Sequence, residues 1–261
     1  MLETALNALA GLGVGLLVGA TGVGGGAIMT PLLVLLMGVA PHTAVGTDLL
    51  YASLTKMFGV GVHGAQGRVD WQIVRRLSLG SLPAAVATLL WMRGTGMNGV
   101  REGLMIVVLG SVLILTALAM LAKPLLNRMG RELRTSDPPR FRRVQLPLTV
   151  FGGAILGFLV ALTSIGAGAL GAVMLVFLYP LRLTPARLVG TDLAHAIPLA
   201  LVAGAGHILL GNVDFALLGQ LLLGSVPGVA LGAYFGGKLP EGVLRTGIAV
   251  VLAAVGVKLI G

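Results

Sequence analysis

Lys56 lies inside an otherwise apolar run, residues 43–62, and is the only basic residue set so well within such a run. A charge there is expensive in lipid, so it must face a polar cavity or a partner. On an ideal helix Asp48, Lys56 and His63 fall within about 80° of one another, with Asp48 and Lys56 about 12 Å apart along the axis. That separation is too long for a direct pair, so any partner must come from another helix. The same pattern returns 144 residues later: Gly46-Thr47-Asp48-Leu49 reappears as Gly190-Thr191-Asp192-Leu193, and His63 as His207. His195 sits one turn beyond Asp192 on the same face. The lysine suits a bound anion, whereas Asp48, Asp192 and His195 suit proton carriage. Blander readings stand beside these. Either acid could cap a helix near the interface, Lys56 could snorkel, and His63 and His207 sit near span ends, where an interfacial imidazole is expected. The copies are not identical at these positions: Lys56 aligns with Ala200, and His195 with Tyr51.

A second constellation is Thr21-Gly22-Val23-Gly24-Gly25-Gly26, with its counterpart Thr163-Ser164-Ile165-Gly166-Ala167-Gly168. Residues with little side chain at a helix break leave backbone N–H groups free and let a ligand approach them. The helix that follows points its positive end at the same place, which favours an anion. Thr21, Thr163 and Ser164 add hydroxyl donors. The candidate substrate-binding residues are therefore Thr21, Gly24, Gly25, Gly26, Lys56, Thr163, Ser164, Gly166, Ala167 and Gly168. Gly11, Gly15 and Gly19, echoed by Gly153, Gly157 and Ala161, are read instead as close-packing stripes.

These residues are carried by a chain that can only belong in a membrane. Of its 261 residues 56% are hydrophobic and 10% charged, with a mean hydropathy of +1.00. No soluble core hides so much apolar surface. Apolar runs recur at 5–20, 26–39, 43–62, 72–92, 103–122, 146–162, 169–179, 188–210, 215–235 and 242–260. Runs of this kind cross a bilayer as helices, because lipid offers the backbone no hydrogen-bond partner. An alternating strand pattern is missing. There is no cysteine. The net charge of +9 is not a nucleic-acid footprint, because the basic residues gather in Lys123–Arg143 and in short loops between spans. That is how cytoplasmic loops beside anionic lipid look. A bacterial-type inner or plasma membrane is expected. Glu3 and the lack of a basic n-region argue against a cleaved signal peptide.

From Gly46 to Pro83, fourteen of 38 positions are identical to those 144 residues later. The chain therefore divides into membrane repeat one (1–122), a basic linker (123–145) and membrane repeat two (146–261). Charge bias favours inverted repeats: a parallel arrangement would put Arg182, Arg187, Lys238 and Arg245 outside. The fold expected is all-α and polytopic, with about eight to ten membrane segments and broken or re-entrant helices at the glycine motifs. Asp70 and Asp214, each before an aromatic residue, are read as N-caps. Pro83, Pro227 and Pro198 mark kinks within spans. No nucleophile elbow, zincin motif, P-loop or carboxylate-rich metal motif is present, so neither an enzyme nor a cofactor is expected.

The set formed by Gly22-Val23-Gly24-Gly25-Gly26 with Pro31, Ala44-Val45-Gly46-Thr47, Asn212-Val213-Asp214 and the duplication resembles the TauE/SafE family of sulfite exporters, also called the 4-toluene sulfonate uptake permease family. The resemblance spans nearly the whole chain and implies a transporter, usually an exporter, of sulfite, sulfonates or related sulfur anions. It places the substrate at Gly24, Gly25, Gly26, Gly166, Ala167 and Gly168. Asp48 and Asp192 stand where the family more often has Ser after Gly-Thr, which marks a distinct subgroup. The function expected is alternating-access transport of a small sulfur anion, with proton coupling through Asp48, Asp192 and His195. The alternative is a cation/proton antiporter built on Asp48 and Asp192. Membrane lipid is an expected partner.

Overall fold

The computed structural model describes residues 2–21, 26–64, 68–95, 102–136, 138–236 and 241–261. These form ten helices, with no strand among the described residues: α1 Leu2–Thr21, α2 Gly26–Leu35, α3 Pro41–Gly64, α4 Trp71–Gly94, α5 Glu102–Ser136, α6 Pro138–Thr163, α7 Ala169–Leu178, α8 Pro185–Leu209, α9 Phe215–Gly236 and α10 Glu241–Ile260. Among the described residues five stretches are long and apolar enough to cross a membrane: Trp71–Gly94, Gly103–Ser136, Arg143–Thr163, Pro185–Leu209 and Phe215–Gly232. Leu115, Leu118 and Leu121 of α5 and Phe151, Ile155 and Phe158 of α6 face outward, an apolar exterior that suits lipid rather than water. The chain is a multi-pass membrane protein.

Local chemistry sets the helix starts. Thr184 Oγ1 accepts from Arg187 N–H at 3.3 Å, with Pro185 at the first helical position of α8. Asp70 and Asp214 cap α4 and α9 as expected, accepting from Ile73 N–H at 3.3 Å and Leu217 N–H at 2.9 Å. Asp70 also holds Arg182 Nε at 2.6 Å and Nη2 at 2.9 Å. Asp214→Ala is expected to lower Tm by roughly 2–4 °C for one lost cap. Asp70→Ala should lower it by a few degrees more at most, because the Arg182 guanidinium is partly exposed. Thermal unfolding of the two purified variants measures the difference.

The basic segment between the repeats is not a loop. Its first part continues α5 to Ser136, and Pro138 opens α6. Leucine, methionine, arginine and glutamate are good helix formers, and Arg128 pairs with Glu132 one turn on at 2.9 Å. The extension is docked: a Cβ on Gly130 would strike the Phe177 carbonyl of α7.

Packing exchanges helices between the halves. α1 lies along α9, with Gly11 against Leu221, Gly15 against Ser225 and Gly224 against Ala8. α4 lies along α6 in the same way, with Gly153 against Leu77, Gly157 against Ser81 and Gly80 against Val150. Each contact in one set is the other with the repeats interchanged. The glycine stripes are thus packing surfaces, as read from sequence. The rule extends to hydrogen bonds: Asp214 N–H donates to Thr47 Oγ1, and Asp70 N–H to Thr191 Oγ1, both at 3.0 Å. α3 and α8 meet running in opposite directions, since Gly46 packs on His207 while Gly204 packs on Leu50.

Candidate functional site

The break between α6 and α7 is the scaffold of the site. Thr163 ends α6, and its Oγ1 accepts from Ile165 N–H at 3.1 Å. The chain then passes through Ser164, Gly166 and Gly168 at φ +60°, +124° and +128°, left-handed values that glycine tolerates and serine adopts only under constraint. All of 161–169 is buried. Gly168 caps α7 without a side-chain bond. The amides of Ala169 and Leu170 precede the first hydrogen bonds of α7, which are Gly171 N–H to Gly166 O and Ala172 N–H to Gly168 O. Such a helix start favours negative charge. In repeat one α1 ends at Thr21, and the counterpart motif follows it in sequence. Gly24, Gly25 and the side chain of Thr21 lie outside the described residues, while Gly26 opens α2.

Lys56 reaches this break from the other repeat. It is 3% exposed, so it does not snorkel, and its Nζ donates to the Ala167 carbonyl at 3.0 Å. A partner on another helix is expected from the sequence; the hydrogen-bond partner is instead a backbone carbonyl in the break between α6 and α7. Asp48 and Asp192 both act on Lys56 electrostatically, but among the described residues no ion pair joins them. Neither acid caps a helix. Pro41 and Pro185 open their helices, placing both acids two turns inside and buried. Asp48 Oδ2 accepts from Thr30 Oγ1 of α2 at 2.5 Å, and the Ser164 side chain lies beside the same carboxylate. Asp192 faces α7 so closely that a Cβ on Gly171 would strike its Oδ1.

His195 Nε2 lies 2.8 Å from Ser81 Oγ of α4. At the corresponding place in the other half, Tyr51 is directed at Ser225 of α9. Around this centre the buried Asp48 Oδ1, Tyr51 OH, Ser164 Oγ, Asp192 Oδ1, His195 Nδ1 and Ser225 Oγ have no hydrogen-bond partner among the described residues. Native interiors leave few such atoms, and here they are concentrated on Asp48, Asp192, His195 and their neighbours.

His207, in the last turn of α8, turns into the protein rather than outward. It is fully buried, its Nε2 lies 2.8 Å from the Ala161 carbonyl, and Asn212 Nδ2 approaches Nδ1 at 3.4 Å. The cause is the end of α8. Gly211 at φ +74° turns the chain back and brings Asn212 under the histidine. The side chain of His63 lies outside the described residues.

A cavity of about 530 Å³ opens onto this region between α5, α7, α8 and α10. Gly168 and Asp192 line it, together with Lys123, Asn127, Arg131 and Arg245. The start of α7 and one of the two acids thus share a chamber with three basic side chains. Sequence reasoning assigned Lys123 and Arg131 to the linker, used Arg245 only for the charge bias of the repeats, and gave Thr30 and Tyr51 no role. Ser81 and Ser225 did carry a signal, as the repeated Leu-Gly-Ser-x-Pro.

Residues 7–259 match the family model described as Sulfite exporter TauE/SafE. The chain belongs to the TauE/SafE family. It is 40% identical over 210 residues to "Probable membrane transporter protein YjnA" of Bacillus subtilis (strain 168), covering 80% of this chain and 81% of that one. To "Probable membrane transporter protein YdhB" of the same organism it is 28% identical over 246 residues, covering 94% and 96%. No solved structure matches the chain. Members of this family are membrane transporters, and the family's description suggests a small anion as cargo.

Proposed function

We propose that this TauE/SafE member is a secondary carrier that exports a small sulfur oxyanion, sulfite or an organosulfonate, by alternating access between two inverted repeats. One observation carries the reading: Lys56 of one repeat is bonded to the carbonyl inside the broken helix of the other. A charge and a helix start are thereby held together at the junction of the halves, where carriers of this architecture bind their cargo. The basic lining of the adjoining cavity supports an anion, since Lys123, Arg131 and Arg245 surround the approach to Gly168. Inverted repeats are supported by the opposed directions of α3 and α8 and by the exchanged helix pairs. The basic extension of α5 is placed in the cytoplasm of a bacterial-type cell by the positive-inside rule. Export follows the family's description. Substrate contacts are assigned to Gly166, Ala167, Gly168, Thr163, Ser164 and Lys56, and to Thr21, Gly24, Gly25 and Gly26 in the other repeat.

Asp48, Asp192 and His195 are assigned to proton coupling, since a carrier needs groups that gain and lose a proton within the moving core. Asp192→Asn keeps the shape of the carboxylate and removes its titration. In liposomes the variant is expected to exchange sulfite for sulfite at a rate near wild type, while losing at least tenfold of the uptake driven by a pH gradient. Equal loss of both activities would show that Asp192 positions the site instead.

A second reading has its own observation: two buried carboxylates face one lysine, so the centre is one negative charge in excess when all three are ionised. That balance suits a cation/proton antiporter on Asp48 and Asp192. Sodium flux in sulfite-free liposomes separates the two. Sodium-driven proton movement without anion dependence would replace the first reading with the second.

A further inference from the structure

A second cavity, of about 470 Å³, lies against the first, and Tyr179 and Pro180 line both. Three arginines from separate parts of the chain converge on it: Arg76 from α4, Arg134 from α5 and Arg182 from the turn after α7. Two of them are held in place. Arg76 Nη1 donates to Tyr179 OH at 3.4 Å, and that hydroxyl bonds Thr149 Oγ1 at 2.9 Å. Arg182 is clamped by Asp70, bonds Gln72 Oε1 at 2.7 Å and stacks over the Tyr179 ring at 6.0 Å. Arg134 lies over the Phe141 ring at 5.8 Å, and its buried Nη1 has no hydrogen-bond partner among the described residues. Among the described residues Asp70 is the one carboxylate bonded to these arginines, which leaves that described cluster with an excess of about two positive charges. Guanidinium forks with spare donors and this excess fit a phosphate ester.

The rest of the lining tells which phosphate. Leu146 and Leu181 border the same cavity and are strongly exposed. A free phosphate has no use for that apolar rim, whereas an acyl chain does. We infer that the cavity formed by Arg76, Arg134 and Arg182 binds the phosphate of an anionic glycerophospholipid whose acyl chain leaves over Leu146 and Leu181. The site is separate from the transport centre but shares a wall with it at Tyr179 and Pro180. Basic pockets between membrane helices are suited to such head groups.

The test uses full-length protein in a neutral detergent, titrated with phosphatidylglycerol, phosphatidylcholine of the same chains, or soluble glycerol phosphate. Thermal unfolding and native mass spectrometry are the readouts. Phosphatidylglycerol is expected to raise Tm by several degrees more than either comparator and to stay bound in the mass spectrum. The Arg76→Gln/Arg134→Gln double variant should lose most of that gain, while Arg75→Gln, an exposed neighbour outside the cavity, should keep it. If the double variant does not fold, Arg134→Gln alone is read by mass spectrometry, with at least a fivefold drop in retained phosphatidylglycerol expected. Equal stabilisation by phosphatidylcholine or by glycerol phosphate overturns the lipid assignment. Full retention of phosphatidylglycerol by the arginine variants overturns the site.

Discussion

Lys56→Ala is expected to abolish sulfite transport and to lower Tm by roughly 10 °C, whereas Lys56→Met combined with Asp192→Asn should recover most of the stability and none of the transport. The reason is the imbalance left behind. Removing the ammonium takes away the cation that the two buried acids share, leaves Asp192 only the basic side chains of the adjoining cavity, and strips the Ala167 carbonyl of its donor. Breaking a buried charge constellation on one side costs about 3–5 kcal/mol, and each kcal/mol moves Tm by about 2–4 °C in a chain of this order. Neutralising Asp192 together with Lys56 leaves one acid, Asp48, which Thr30 already supports. Replacing buried ions with neutral groups is often neutral for folding. Transport does not return, because the cation at the helix break is gone. Flux in liposomes and thermal unfolding of the same preparations measure both halves of the claim. A Lys56→Ala protein that transports at the wild-type rate would remove the lysine from the mechanism.

Gly80→Val and Gly224→Val are each expected to cost at least about 3 kcal/mol, and to cost the same amount. A Cβ at Gly80 lands on the Val150 carbonyl, and one at Gly224 lands on the Ala8 carbonyl. Both obstacles are backbone atoms, so no rotamer change relieves them and whole helices must separate. Gly13 and Gly219 meet nothing within 4 Å. Alanine there should be neutral or slightly stabilising, by up to about 1 kcal/mol of helix propensity. Thermal unfolding of the four purified variants decides the matter. A large difference between Gly80→Val and Gly224→Val would mean that the α4/α6 and α1/α9 interfaces are not equivalent.

The helices were largely legible because lipid makes hydropathy an almost direct readout of span position. Each of the ten apolar runs overlaps one helix. The misses are at the ends. α5 runs on from the apolar run at 103–122 to Ser136, because helix propensity persists where hydropathy stops, and α6 begins at Pro138 for the same reason. Within the site, the need for a partner to Lys56 followed from helix geometry, but its identity did not. That partner is a backbone carbonyl, and carbonyls leave no trace in a sequence. Capping at Asp48 and Asp192 was a fair alternative until Pro41 and Pro185 proved to start the helices. His207 looked interfacial because it stands near the end of an apolar run, and only the turn at Gly211 explains why it is buried.

The pairing of α1 with α9 has a consequence for how the protein is made. α1 rests its glycine face on α9, so that face has no native neighbour until some 200 residues later in synthesis. At about 5–20 residues per second, this amounts to a wait on the order of 10–40 s. During biogenesis α1 must sit in the bilayer without its native neighbour, shielded by lipid or by an insertion chaperone, and neither half should mature when synthesised without the other.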